Sequence, residues 1–217
     1  MGLSLYTYWR SSAAWRVRIA LELKGLDWTA VPVHLVRGGG EHRLPEYLAV
    51  NPQGLVPVLA EDGLALTQSL AIIEYLEETR PRPALLPADA PGRARVRSLA
   101  QLVACDIHPL NNLRVLNYLG REAGLDEAGR AAWYRHWIAE GFGALEVRLA
   151  TESGTGRFCH GDAPGLADCC LVPQVYNARR YGCDLDPFPT IRRIDAACAE
   201  LGAFSATAPD RQPDAQA

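Results

Sequence analysis

The feature that most constrains the fold of this chain is a change of pattern near residue 80. Before it, short apolar runs alternate with helix-period segments, whereas every periodic segment after it is helical. Two proline-rich stretches, residues 80–83 and 87–91, mark the change, and such stretches are typical of a connector. We therefore predict an α/β domain over residues 1–82 and an all-helical domain over residues 90–217.

The first domain is predicted in the order strand, helix, strand, short helix, two strands, helix. Residues 16–24 predict an amphipathic helix with Val17, Ala20 and Leu21 on one side, and Gly25 marks its end. Pro32 cannot donate to a strand ladder, which places its strand at a sheet edge or at a strand end. Asp62-Gly63 between two apolar runs predicts a hairpin, and Ser69 is expected to cap the helix that follows.

The second domain is predicted to hold helices over residues 92–119, 126–151, 166–181 and 190–201, with Pro109 as a point of interruption. Gly165 stands at the N-cap of the third of these helices, where Asp168 is expected to favour the N-terminus through its charge. The polar tail, residues 207–217, is predicted to be disordered.

Composition restricts the class of protein. The chain has 217 residues and a formal net charge of −3, so it lacks the excess of basic residues that is typical of nucleic-acid-binding proteins. No apolar run approaches the roughly 20 residues that span a bilayer, and the N-terminus lacks a signal-peptide pattern. We expect a cytoplasmic protein that binds neither nucleic acid nor membrane.

The six cysteines all lie at or after position 105 and form no C-x-x-C pair. Cys105, Cys169 and Cys198 fall within helical patterns and are predicted to be buried, reduced thiols. The histidines are not spaced with them as ligands, so no metal site is expected.

A strand–turn–helix junction at residues 9–21 is the strongest candidate for a site. It carries Arg10, Ser11 and Ser12 where the helix begins. Unpaired N–H groups and the helix dipole favour an anion at such a position. The serines either cap the helix or hold a thiolate that a ligand brings in, and the junction by itself leaves both readings open.

Several motifs along nearly the whole chain resemble the zeta class of glutathione transferases, which includes maleylacetoacetate and maleylpyruvate isomerases. The most class-specific is Ser-Ser-x-x-Trp-Arg-Val-Arg-Ile-Ala-Leu, residues 11–21. The others are Asn51-Pro52 through Val56-Pro57, Gln68-Ser69 with the following helix, Leu85-Leu86-Pro87, Asp106-Ile107-His108-Pro109, Leu166-Ala167-Asp168, and Val172-Pro173-Gln174-Val175.

The resemblance implies a thioredoxin-like domain followed by a helical one, glutathione as cofactor, and a homodimer. Glutathione would pair its cysteinyl backbone with Val56, before a cis Pro57, and place its γ-glutamyl carboxylate at Gln68 and Ser69. Ser11 and Ser12 would favour its thiolate. The residues that the resemblance assigns to glutathione are Ser11, Ser12, His42, Val56, Gln68, Ser69, His108, Asn112 and Arg114. His42 can equally be a solvated loop residue.

The class motif usually reads Ser-Ser-Cys, but Ala13 stands in the third position here. A thiol nucleophile must then come from glutathione, and this departure favours maleylpyruvate over maleylacetoacetate. Ser11 is the first choice as partner of the sulfur and Ser12 the second, with Arg10 beside them as a third catalytic residue.

An isomerase of this class would act on a small dicarboxylate, and guanidinium groups match carboxylates bidentately. The expected carboxylate ligands are Arg10, Arg114 and Arg180. Motif position favours Arg180 over Arg179, while Arg114 and Arg179 also fit the pattern of exposed helix charges. Two other functions remain open: a conjugating transferase or dehalogenase of α-halo acids, and a non-catalytic binding module.

Overall fold

The structure is a computed structural model that describes residues 2–215. These residues pack as two compact units. The first unit runs to Leu85 and takes in the chain from Leu201 onward, and the second unit is Leu86–Glu200. The division near residue 85 falls between the two predicted domains, but the segment from Leu201, which the sequence assigns to the helical domain, packs with the first unit.

The first unit contains a four-stranded sheet in the order β2-β1-β3-β4, in which only β1 and β2 are parallel. Pro32 ends the edge strand β2, as predicted. Asp62 and Gly63 have φ of 48° and 87°, the positive values that a tight two-residue hairpin turn requires. The strands are β1 (Leu3–Thr7), β2 (Trp28–Pro32), β3 (Val58–Glu61) and β4 (Leu64–Thr67).

Helices make up most of the rest of the described chain. Those of the first unit are α1 (Ser12–Leu23), α2 (Pro45–Leu48), α3 (Ser69–Thr79) and, in the C-terminal segment, the one-turn helix α9 (Gly202–Ser205). Those of the second unit are α4 (Ala90–Gln101), α5 (Leu113–Arg121), α6 (Glu127–Thr151), α7 (Leu166–Arg180) and α8 (Pro189–Ala199). Within residues 2–215 no helix is long and apolar enough to cross a membrane.

Helix α1 is buried on nearly every side, although the sequence predicts a single apolar face. It packs against α3 and against α9 of the C-terminal segment. Arg16 and Arg18, which are not among the residues of the predicted apolar face, are only 2% and 0% exposed. The pattern misleads here because burial depends on segments far away in the sequence.

The long helix predicted over residues 92–119 is instead two helices, α4 and α5. Between them lie a π-helical stretch, Leu102–Ile107, and a 3₁₀ turn, His108–Asn111. Pro109 has no N–H to continue an α-helical ladder, and the 3₁₀ turn that contains it lies at the predicted point of interruption.

The start of α7 confirms the predicted role of Asp168. Its carboxylate is 1% exposed and accepts hydrogen bonds from the N–H groups of Gly165 and Cys159, at 2.8 and 2.9 Å. Burial raises the pKa of Asp168, and these two hydrogen bonds oppose that rise. A single carboxylate therefore stabilises both the helix N-terminus and the loop before it.

Two further expectations are wrong. The polar tail is ordered as far as it is described, since Thr207 is 2% exposed and a 3₁₀ turn spans Pro209–Arg211; residues 216 and 217 lie outside the described residues. Cys105 is exposed, because it falls on the outer side of the π-helical stretch, whereas Cys169 and Cys198 are buried as predicted.

Candidate active site

The turn between β1 and α1 is shaped by hydrogen bonds of Ser11. Its hydroxyl accepts from the N–H of Ala14 at 3.2 Å, and its own N–H donates to the carbonyl of Tyr8 at 2.9 Å. Ser11 is therefore the N-cap of α1, and Ser12 is its buried first residue. A hydroxyl that accepts one hydrogen bond still carries a proton to donate, so capping is compatible with thiolate binding.

Arg10 lies at the same turn. It is half-buried, and its guanidinium carbon lies 5.0 Å from the centre of the Trp9 ring. A cation over an aromatic face is held by the quadrupole of the ring. The structure thus brings three of the predicted residues, Arg10, Ser11 and Ser12, together at one helix start.

The segment before β3 contains a cis peptide bond between Val56 and Pro57. Val56 is 8% exposed and belongs to an apolar cluster with Tyr8 and Val58. The carbonyl of the preceding residue, Leu55, accepts hydrogen bonds from the Tyr47 hydroxyl and the Asn51 amide at 2.6 and 2.7 Å. Side chains from α2 and from the loop after it therefore fix the backbone on which Val56 lies.

Gln68 precedes α3 with an unusual backbone, φ 69° and ψ 112°. Non-glycine residues in such regions are held there by their surroundings and are frequent at functional sites. The Gln68 amide donates to the side-chain oxygen of Gln53 at 2.9 Å. The expected cap at Ser69 is wrong: Gln68 occupies the N-cap position without a side-chain cap, and Ser69 is the first helical residue.

Ser69 has a different partner instead. Its hydroxyl accepts a hydrogen bond from the buried guanidinium of Arg16, 3.3 Å away. A fixed positive charge then lies behind the first turn of α3, where exposed N–H groups already favour an anion. The carboxylate of a ligand would be stabilised there by both.

His42 lies in a 3₁₀ turn after three glycines and is half-buried. Its Nδ1 has no hydrogen-bond partner among residues 2–215, and burial, followed by the charge of Arg43, lowers the pKa of the imidazole. The absence of a side chain at Gly40 leaves the space that the His42 ring occupies. A Cβ at Gly40 would lie 2.3 Å from the ring carbon Cε1, and its φ of 104° also disfavours other residues.

Three predicted residues lie around the start of α5 in the second unit. His108 begins the 3₁₀ turn, and Asn112 caps α5 by accepting from the N–H of Arg114 at 3.0 Å. The Arg114 side chain is exposed. The cap uses only Oδ1 of Asn112, and the side-chain NH₂ group of Asn112 takes no part in the cap.

The two arginines at the end of α7 have different surroundings. Arg179 forms an ion pair with Asp195 of α8 at 2.6 Å. Arg180 lies 4.7 Å over the ring of Tyr181, which stacks on Tyr134 at a centroid distance of 3.6 Å. Burial raises the pKa of Tyr134, and the charge and hydrogen bond of Arg180 oppose that rise. The aromatic pair thereby orients Arg180.

Sequence reasoning missed the buried arginines of α1 and the Tyr134–Tyr181 stack. Arg16 and Arg18 stand in the most class-specific run of the chain, inside an otherwise apolar helix. Two arginines in an otherwise apolar helix could have indicated buried charges with fixed hydrogen-bond partners, because a buried charge is stable only when it is paired.

A four-stranded sheet with a cis proline before β3, a helix N-terminus beside Gln68 and Ser69, and a separate helical unit define a glutathione transferase. The family model for the glutathione S-transferase N-terminal domain matches residues 10–79. The chain belongs to the glutathione transferase family, and to its zeta class.

Individual relatives cover almost the entire chain. Maleylpyruvate isomerase from Ralstonia sp. is 54% identical over 98% of this chain and 99% of its own. A holo structure of maleylpyruvate isomerase, described as a bacterial zeta-class transferase, has a TM-score of 0.95 at 54% identity, with 98% and 100% of the two chains covered. Maleylacetoacetate isomerase from Methylobacterium extorquens AM1, with bound malonate and glutathione, has a TM-score of 0.94 at 46% identity, covering 99% and 100%.

Proposed function

We propose that this protein is a glutathione-dependent isomerase that converts maleylpyruvate or maleylacetoacetate to the fumaryl isomer. The observation that carries the proposal is a helix N-terminus with two serines, suited to stabilise a thiolate, in a unit that contains no cysteine. Ala13 follows Ser11 and Ser12, and all six cysteines lie outside the first unit. The nucleophilic sulfur must therefore come from glutathione, the ligand bound in the related isomerase structure.

The chemistry uses glutathione as a catalyst. Rotation about the cis C=C bond is blocked until its thiolate adds to one alkene carbon, and the electron pair moves to the conjugated carbonyl as an enolate. Rotation then occurs about a single bond. The enolate expels the thiolate, which restores the alkene as the trans isomer. The site has to stabilise the thiolate and the transient enolate charge.

Ser11 is the proposed partner of the thiolate. Its hydroxyl accepts from Ala14 and donates its proton to the sulfur, so that one group fixes the helix start and lowers the pKa of the bound thiol. Ser12 and the N–H groups of the first turn of α1 add to the same effect. Arg10 provides positive charge at the turn.

The other parts of glutathione are assigned to the remaining residues of the first unit. The cysteinyl backbone pairs with Val56, and the γ-glutamyl carboxylate binds at Gln68 and Ser69, where Arg16 adds its charge. His42, with Nδ1 unpartnered among residues 2–215, is the proposed contact at the glycyl end.

Residues for the small dicarboxylate are proposed one by one. Arg10, Arg114 and Arg180 are the carboxylate ligands, and Arg180 is preferred over Arg179 because Arg179 is already paired with Asp195. His108, Asn112 and Arg114 are also proposed to contact glutathione. The malonate in the Methylobacterium relative is a dicarboxylate and supports this substrate class. We further propose a cytoplasmic homodimer.

The function is tested by incubating the purified protein with maleylpyruvate or maleylacetoacetate, with and without glutathione. Fumaryl product should form only with glutathione, and the glutathione concentration should stay constant. Stoichiometric loss of glutathione would instead indicate a conjugating enzyme, and faster turnover of dichloroacetate would indicate a dehalogenase. Absence of glutathione binding in calorimetry would indicate a binding module.

A further inference from the structure

The Arg18 guanidinium is completely buried and holds the end of β1 together with the turn that follows it. Its Nη1 donates to the Thr7 hydroxyl at 2.9 Å and to the Tyr8 carbonyl at 3.2 Å. Its Nη2 donates to the Trp9 carbonyl at 2.9 Å. One rigid, charged group thus fixes three successive residues just before Arg10 and Ser11.

This arrangement reaches Ser11 through the Tyr8 carbonyl. That oxygen accepts hydrogen bonds from both the Arg18 guanidinium and the N–H of Ser11, the latter at 2.9 Å. The position of the Ser11 backbone, and with it the direction of its hydroxyl, is therefore coupled to Arg18.

The C-terminal segment completes the arrangement. The Thr207 carbonyl accepts from Nε of Arg18 at 3.3 Å, and the Thr207 hydroxyl accepts from the indole N–H of Trp15 at 3.0 Å. Asp214 accepts from the N–H of Trp9 at 2.9 Å. We call residues 207–214 the C-terminal clasp.

Electrostatics couple Arg18 to Asp214 of the clasp. Burial lowers the pKa of Arg18 to about 9, and the charge of Asp214 opposes that lowering. Arg18 therefore remains a cation at neutral pH, and hydrogen bonds from a cation to carbonyl oxygens are stronger than neutral ones.

We propose that Arg18 and the C-terminal clasp are positioning elements for catalysis: they hold the turn at residues 8–11 in the geometry in which Ser11 meets the glutathione thiolate. The inference rests on the proposed function of that turn. It assigns a catalytic purpose to a segment that lies more than 190 residues after the turn in sequence and packs with the first unit. Displacing a reacting group by about 1 Å can cost on the order of a hundredfold in rate.

The test uses Asp214, because it is half-buried near the end of the chain and its substitution is compatible with folding. Asp214→Ala removes the acceptor for Trp9, and Asp214→Asn removes the charge but keeps an oxygen acceptor. Asp210→Ala is the matched control, since Asp210 is an exposed carboxylate in the same segment. Arg18→Gln serves as a second probe if it folds.

Three quantities are measured on each full-length variant: the melting temperature, the pKa of glutathione on the enzyme from the ultraviolet absorbance of its thiolate, and kcat and KM. Asp214→Ala should raise the thiol pKa and lower kcat by about tenfold, while KM for glutathione changes by less than about threefold. Asp214→Asn should stay within about threefold of wild type in kcat.

Two results would overturn the inference. One is an Asp214→Ala variant with the same thiol pKa and kcat as Asp210→Ala, whatever its melting temperature. The other is an Arg18→Gln variant that folds and keeps the thiol pKa and kcat of the wild-type protein. The thiolate titration needs no isomerase substrate, so wild-type protein that binds glutathione but fails to isomerise would refute the proposed function and leave this test intact.

Discussion

Arg16 in α1 and Ser69 at the start of α3 are joined by a hydrogen bond of 3.3 Å between guanidinium and hydroxyl. The residues are 53 positions apart and both buried. This contact couples the helix that carries the serine turn to the helix start that is proposed to bind the γ-glutamyl carboxylate. Both ends of the proposed glutathione site therefore depend on α1.

We expect Arg16→Gln to weaken glutathione binding by about tenfold, because the site loses a fixed cation close to the γ-glutamyl carboxylate. Isothermal titration calorimetry measures the change. Arg82→Gln, the same substitution at an exposed position of the first unit, is the control and should bind as wild type does. Equal affinities in the two variants would show that Arg16 has only a packing role.

Ser11→Ala should lower turnover much more than Ser12→Ala, and it should also cost about 1 kcal/mol of stability through loss of the N-cap. Ser11→Asp separates the two effects, since aspartate caps a helix as well as serine does. That variant should keep the wild-type melting temperature but raise the thiol pKa, because a carboxylate repels the thiolate. If Ser11→Ala and Ser12→Ala behave alike, backbone N–H groups stabilise the sulfur.

Substitution of the neighbouring arginines of α7 should give opposite phenotypes. Arg180→Ala should raise KM for the maleyl substrate by about tenfold or more, because it removes a substrate contact. Arg179→Ala should lower the melting temperature and leave KM unchanged, since it takes the ion pair from the largely buried Asp195. Steady-state kinetics and thermal melts on both variants test these expectations. A raised KM in Arg179→Ala with an unchanged KM in Arg180→Ala would make Arg179 the substrate ligand.

A buried ion pair secures the end of the first unit. Lys24 and Glu77 lie 2.8 Å apart with side-chain exposures of 0% and 7%. Lys24 also donates to the carbonyls of Arg80 and Pro83, and Glu77 accepts from the N–H of Leu85.

Lys24→Met should destabilise the protein by about 3 kcal/mol, because it takes the lysine charge away from a buried carboxylate. The double variant Lys24→Met with Glu77→Leu should regain part of this loss, since no unbalanced charge then stays buried. Urea unfolding measures both. A double variant less stable than Lys24→Met would show that Glu77 acts mainly through Leu85.

Local sequence signals predicted most of the fold. The Asp62-Gly63 hairpin, Pro32 at a strand end and the cap-assisted start of α7 all follow from the chemistry of one or two residues. The π-helical stretch after Gln101 was not predictable in the same way. Periodicity continues through it, and only the packing of the second unit selects its helix type.

The candidate site also contains some features that short motifs predicted and others that they did not. Ser11 and the cis bond before Pro57 are marked by short motifs, and the structure agrees with both. Ser69 was expected to cap α3, but it binds Arg16 instead, and no local rule predicts a partner 53 residues away.

The sequence by itself determined the order of the elements, the start of α1 at its serine and the absence of a protein thiol from the first unit, because these depend on neighbouring residues or on composition. Only the tertiary structure decided that Arg16 and Arg18 are interior residues and that the C-terminal segment returns to the first unit. A charged side chain can be buried when distant segments supply its hydrogen-bond partners, and for Arg18 one of those partners, Thr207, lies 189 residues away.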